Sequence, residues 1–190
     1  MLIVWKIKRF FSQTTEKNKI YILSLLVGLL TGTAAFLLKN FVHYLGHFLT
    51  RHFNASSESY FYLAYPMIGI LISVLIVKYL IKDDVSHGVS KILSVISKKG
   101  SYIKAHNMFS SMITSGFTIG FGGSVGAESP IVYTGAAIGS NVSSLFSLNQ
   151  GQVRLLIGCG ATGAIAGIFK APIAGIMFTL EVLMLDLTMS

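Results

Sequence analysis

Apolar positions in this chain gather into long unbroken stretches rather than alternating with polar ones. Ile20 to Leu38, Ser59 to Val77, Asn107 to Ala127 and Ser129 to Val153 contain no Asp, Glu, Lys or Arg. Apolar runs of about 18 residues or more read as membrane spans, because about 20 helical residues cross a ~30 Å hydrocarbon core. The first two runs predict ordinary spans over 20–38 and 60–80. From Ser86 onward the apolar segments shorten and fill with glycine, at about 106–119, 130–146, 154–169 and 172–185. Discontinuous membrane helices look like this in sequence, and non-helical backbone at that depth survives only where protein or a wet cavity surrounds it. Small residues recur four apart at Gly28/Gly32, Gly135/Gly139, Gly163/Gly167 and Ala171/Gly175. Such pairs let helix backbones approach closely; they predict a crowded bundle and say nothing of a solute. The expected fold class is all-α, a polytopic membrane helix bundle with short discontinuous helices. No soluble second domain or low-complexity linker interrupts it.

Composition agrees. The chain of 190 residues is 53% hydrophobic and 12% charged, about half the ~25% charged fraction of a soluble domain. Its net charge of +8 needs no nucleic-acid partner, because its distribution fits the positive-inside bias. Lys6, Lys8, Arg9, Lys17 and Lys19 precede the first span, Lys39 and Arg51 lie between the first two, and Lys78, Lys82, Lys91, Lys98, Lys99 and Lys104 come after the second. That alternation predicts a cytoplasmic N-terminus, an outer loop around His47, and an inner region near Lys91, in a multi-pass protein of the cell membrane. Residues 1–19, with Trp5, Phe10 and Phe11 among lysines, predict an interfacial amphipathic segment. A secretory signal is not expected, since the first apolar run is long and more spans come after it. Cys159 is the only cysteine, which excludes an intrachain disulfide and a cysteine metal framework.

One acid stands out within this apolar background. Glu128, in "GFGGSVGAESPIV", is the only Asp or Glu between Asp84 and Glu181. Pro130 suits the first position of a helix and Ser129 can serve as its N-cap. A helix from about Pro130 to Phe146 would therefore aim its positive N-terminus and free N–H donors at Glu128. Two readings are open. Glu128 could simply neutralise its own helix end. Alternatively the same donors bind a mobile anion and the carboxylate competes for the site. Gly116, Gly120, Gly122, Gly123 and Gly126 lead into it, more glycine than a bare cap needs, and an intramembrane acid is costly enough to default to a functional hypothesis.

"GGSVGAESPIVYTGAAIGS" resembles the CLC chloride channel and transporter family, whose motif is Gly-Lys/Arg-Glu-Gly-Pro preceded by glycines. "GCGATGAIAGIFKAPIAGIMFTLEV" is similar to the family's segment downstream of that motif, including an Ala-Pro step, here Ala171–Pro172, that breaks two helices. The likeness covers most of the chain and is strongest from Gly116 to Leu183. It implies that Glu128 is the gating glutamate, whose carboxylate occupies the outer anion site and moves aside when protonated or displaced. It also implies an anion cradle from the backbone at Gly126, Ala127, Ser129 and Ile131, with Pro130 contributing geometry only. The family's first anion-contacting loop matches "SHGVS", Ser86 to Ser90, so Ser86, His87 and Gly88 join the candidate site. A lipid bilayer and a homodimer are the implied partners, with no cofactor and no catalysis.

The departures from that pattern bear on mechanism. Ala127 replaces the basic residue before the glutamate, Ser129 the glycine after it, and His87 the serine that contacts the central anion. Ser86 and His87 can each donate one hydrogen bond to chloride; an exposed inner histidine is the plainer reading of His87. Where proton-coupled members carry an inner glutamate, this chain has Val182, and valine cannot relay a proton. The sequence therefore points to passive conduction, with proton-coupled antiport or a non-conducting accessory subunit as alternatives; Glu181 is expected to be a structural acid near a helix end. Gly158-x-Gly160-x-x-Gly163 imitates a dinucleotide fingerprint, but Pro172 and the surrounding apolar spans exclude the βαβ unit that motif needs. The resemblance reaches only the first of the family's two inverted halves. Residues 20–190 are thus expected to be a truncated first-half transmembrane domain, which a second half-chain could complete.

Overall fold

The protein is described over residues 16–51, 61–81, 88–97 and 102–184 of a computed structural model. Helix α1 runs Glu16–Arg51. Helix α2 spans Phe61–Ile76 and continues as a wider π turn over Val77–Ile81. Then come α3, Gly88–Ser97, a 3-10 turn at Ala105–Met108, and α4, Ser110–Gly120. Helices α5, Glu128–Leu145, and α6, Gln150–Phe169, form the centre. Helix α7, Pro172–Phe178, also ends in a π turn, Thr179–Met184. There is no strand among the described residues, so the all-α expectation holds. Most of the predicted interfacial segment, residues 1–15, lies outside them.

Among the described residues, two helices are long and apolar enough to cross a bilayer, 17–49 and 150–169. The first is far longer than its predicted span. Lys39 ends the uncharged run but not the helix, because charge marks where hydrocarbon should stop and carries no signal to unwind. At 36 residues α1 is about 54 Å long, so His47 sits on its last turns and not in a loop. The apolar surface is turned outward as a membrane requires: Tyr21, Leu25, Leu29 and Phe36 of α1 are each at least 65% exposed.

Inside, van der Waals contact between backbones replaces the hydrophobic drive that lipid cannot supply. Helices α5 and α6 cross at glycines. A Cβ on Gly139 would run into the Leu156 carbonyl, and Cβ atoms on Gly135 and Gly160 would each meet the other's carbonyl oxygen. Helix α1 packs on α6 through Gly28 and Gly32, which face Gly163 and Gly167. The predicted small-residue pairs are therefore the crossing points. The core around them is Leu38, Ile92, Ile131, Val132, Ile157 and Leu183, all buried. Several buried polar groups find partners in other segments, although Thr134 Oγ1 and Arg154 Nε are buried without a hydrogen-bond partner among the described residues. The Ser73 hydroxyl donates to the Thr114 carbonyl at 2.9 Å, tying α2 to α4. Asn107 Nδ2 donates to the Tyr133 hydroxyl at 3.0 Å, and Ser110 Oγ to Asn107 Oδ1 at 3.1 Å.

Helix ends obey local chemistry. Asn149 and Gln152 close a reciprocal capping box on α6, with Gln152 N–H donating to Asn149 Oδ1 at 2.9 Å. That helix ends at Lys170, held left-handed at φ 56°, and Ala171–Pro172 opens α7 as expected. Helix α4 ends in a Schellman turn, with Gly123 N–H reaching the Thr118 carbonyl and Gly122 N–H the Ile119 carbonyl, both at 2.9 Å. Gly122 takes φ 84° there, which a side chain would strain.

Candidate anion site

Helix α5 starts at Glu128, and Ala127 precedes it with no side-chain capping bond. This corrects the expected start. Ser129 is not the N-cap and Pro130 is not the first helical residue; both lie inside the first turn. Proline is tolerated there because none of the first-turn N–H groups has an intrahelical acceptor. The helix's own ladder starts at Ile131, whose N–H donates to the Ala127 carbonyl at 3.2 Å. Ile131 is also fully buried, so of the candidate cradle its amide is already engaged. The amides of Glu128 and Ser129 are the ones a helix start leaves for an external acceptor. Glu128, Ser129 and Gly126 are exposed, Ala127 and Pro130 half-buried.

A second helix end arrives at the same place. Gly88, the first residue of α3, is buried, and a Cβ there would sit 2.8 Å from Ser129 Oγ, 2.9 Å from the Ser129 carbonyl and 3.2 Å from Tyr133 Cβ. Only glycine lets α3 begin so close to the start of α5. Two N-termini, each with about half a positive charge, thus meet beside Glu128, the one acid there among the described residues. Ser86 and His87, the other two residues assigned to this loop, lie outside the described residues.

The glycines ahead of Glu128 have a plainer account than ligand approach. A Cβ on Gly116 would meet the Phe41 ring at 2.7 Å, on Gly120 the Leu45 side chain at 2.5 Å, and on Gly123 the Thr118 carbonyl at 2.7 Å. Gly122 serves the Schellman turn. Four of the five are used by helix packing and chain reversal, and only Gly126 has open space, with nothing within 4 Å. Their number therefore does not distinguish an anion site from a cap; the contact between Gly88 and Ser129 bears on that question instead.

At the far end of the chain, Val182 is half-buried and packs against the core, while its neighbour Glu181 is exposed on the α7 π turn. Sequence reasoning missed the buried Asn107–Tyr133 pair behind the site. The buried phenol of Tyr133 one turn after Ser129 was the available signal, since such a group needs a partner.

The described geometry meets a consistent set of relatives. The family described as voltage gated chloride channel matches residues 68–190. An H(+)/Cl(-) exchange transporter ClcA of Vibrio cholerae is 41% identical over 64 residues, covering 33% of this chain and 14% of that protein. The chloride channel protein CLC-d of Arabidopsis thaliana is 28% identical over 181 residues, covering 83% of this chain and 23% of that one. A crystal structure of a CLC-type fluoride/proton antiporter superposes with a TM-score of 0.71 at 29% identity, over 89% of this chain and 41% of that chain. The chain thus spans well under half the length of these relatives, in keeping with one half of a two-part fold. With the match covering more than half of its residues, the chain belongs to the voltage gated chloride channel family, whose members are integral membrane proteins.

Proposed function

We propose that this chain builds half of a membrane pathway for chloride or a similar small anion, gated by Glu128. The observation that carries the proposal is the packing of Gly88 on Ser129, which joins the starts of α3 and α5 beside that carboxylate. Helix N-termini offer unpaired N–H groups and partial positive charge, the chemistry that suits an anion in a site short of water. Glu128 is an anion tethered to this cradle by its own side chain, so it competes with a free one. The backbone at the exposed residues Gly126 and Ser129, with Ala127 between, completes the near wall; Ile131 serves as packing under it. Ser86 and His87, which the family resemblance assigns to the same loop as Gly88, are proposed as further anion contacts, and the N-terminus is proposed to be cytoplasmic. The far wall comes from a second half-chain or a second copy, because sites of inverted-repeat transporters form at the repeat interface.

Passive conduction is the mechanism proposed, because Val182 stands where the family resemblance places the inner proton carrier and its side chain cannot hold a proton. Proton-coupled exchange is the second reading. It is favoured by the exchangers among the relatives and by the exposed Glu181 beside Val182.

The test is chloride efflux from liposomes holding the purified 190-residue chain with valinomycin, beside Glu128→Ala. Flux altered by the mutation supports gating at Glu128. Equal flux in both proteins removes Glu128 from the pathway, and silence from folded protein of both kinds means the half-chain alone conducts nothing. Proton uptake driven by a chloride gradient, lost in Glu181→Gln, would establish exchange instead of conduction.

A further inference from the structure

Away from the anion site, a cavity of about 540 Å³ opens between the last turns of α1, the start of α2 and the end of α4. Its walls include His43 and His47 of α1, Tyr65 and Pro66 of α2, and Gly120 and Gly122 at the α4 turn. The two histidines are exposed and four residues apart on a continuous helix, hence on one face. Their ring centroids are 6.5 Å apart with planes tilted by 55°.

We propose that His43 and His47 form a binding site for one divalent transition-metal ion of the zinc, copper or nickel class. Imidazole suits these ions, and two histidines at this spacing on one helical face are the ligand pair that helical zinc sites use. Zinc–nitrogen bonds of about 2.0–2.1 Å at a tetrahedral angle bring two imidazole centroids to roughly 5 Å. The rings of this chain must therefore close by about 1.5 Å, a change within reach of side-chain rotation on an unmoved helix. Water or a small anion fills the remaining positions, as at metal sites that keep open coordination. The cavity's size leaves room for that shell. Two ligands make an exchangeable site, not one the fold depends on, which fits their place at the outer end of the bundle. The inference stands independently of the role of Glu128.

The test is titration of ZnCl2 into the chelator-treated 190-residue chain in neutral detergent, monitored by calorimetry. One ion per chain is expected, with affinity reduced about tenfold or more, some 1.4 kcal/mol, in either His43→Ala or His47→Ala. His106→Ala, at a distant 3-10 turn, leaves it unchanged. Saturable binding that survives the double variant, or no binding by the folded wild-type chain, overturns the proposal. A second measurement needs no variant: zinc should protect His43 and His47, and not His106, from carbethoxylation read by mass spectrometry. Equal modification with and without zinc overturns it too.

Discussion

Replacing Gly139 by alanine tests whether the α5–α6 crossing is held by backbone contact. A Cβ there would overlap the Leu156 carbonyl oxygen and lie 2.7 Å from the Leu156 carbonyl carbon, where ordinary contact begins near 3.4 Å. The obstacle is backbone on a central helix, so no rotamer relieves it, and because the oxygen is the nearest atom the helices must part by about 1 Å. A gap of about 0.5–1 Å forfeits a quarter to a half of each dispersion contact it opens. Overpacking of this kind costs about 1–3 kcal/mol. Alanine also gains up to about 1 kcal/mol of helix propensity over glycine, so the comparison needs a control carrying the same gain. Gly28→Ala is that control: it lies within α1 and its Cβ would meet nothing within 4 Å. Unfolding of each variant in mixed micelles, monitored by circular dichroism against denaturing detergent, should place Gly139→Ala about 1–3 kcal/mol below Gly28→Ala. A difference under about 0.5 kcal/mol would refute the backbone-contact account.

Other perturbations probe separate links. Asn107→Ala removes the donor to the Tyr133 hydroxyl and the acceptor of the buried Ser110 hydroxyl, and should cost about 1–3 kcal/mol in the same unfolding assay. Asn149→Ala removes one arm of the capping box on α6 and should cost about 1 kcal/mol. Lys170→Gly relieves a left-handed residue that costs roughly 1 kcal/mol, so it should raise stability by a similar amount. Gly88→Ala should lower chloride flux more than it lowers stability, because its Cβ would push α3 away from Ser129; equal flux in folded protein would count against the paired helix starts.

Much of this arrangement is legible in the sequence because membrane burial imposes simple patterns. The uncharged run from Ser59 to Val77 predicts α2 closely, the glycine-rich apolar segment 154–169 covers most of α6, Ala171–Pro172 gives the break between α6 and α7, and small residues four apart mark the crossings. The features that escape depend on contact between distant segments. Charge at Lys39 suggests an end to α1 that the backbone does not take, and with the helix extended to Arg51 the spacing of His43 and His47 becomes a shared face. The Ser129–Pro130 pair suggests a cap two residues late, since proline fits anywhere in a first turn. The glycine-rich approach to Glu128 suggests ligand contact, yet the side chains of Phe41 and Leu45, far upstream, explain two of its members. Gly88 and Ser129 are 41 positions apart, and no periodicity in either segment announces that they touch.

That contact also explains why crowding and chemistry coincide in α5. Every residue from Ile131 to Ser140 is buried, and the stretch is mostly small, so its axis is set by contact with neighbouring backbones. Glu128 and Ser129 project from the end of that clamped rod, exposed, with no side-chain cap to steady them. Their position is therefore inherited from the glycine crossings about two to three turns away, at Gly135 and Gly139. The proposed gate needs a carboxylate able to move on a fixed base, and this division suits both needs: an exposed side chain above a backbone that has nowhere to go. Loosening the crossing should then alter anion flux even where Glu128 and every cradle residue are intact. Gly135→Ala, which meets the Gly160 carbonyl, should lower flux in the valinomycin assay, whereas Gly28→Ala should not. Undiminished flux in folded Gly135→Ala liposomes would separate the gate from the rod that carries it.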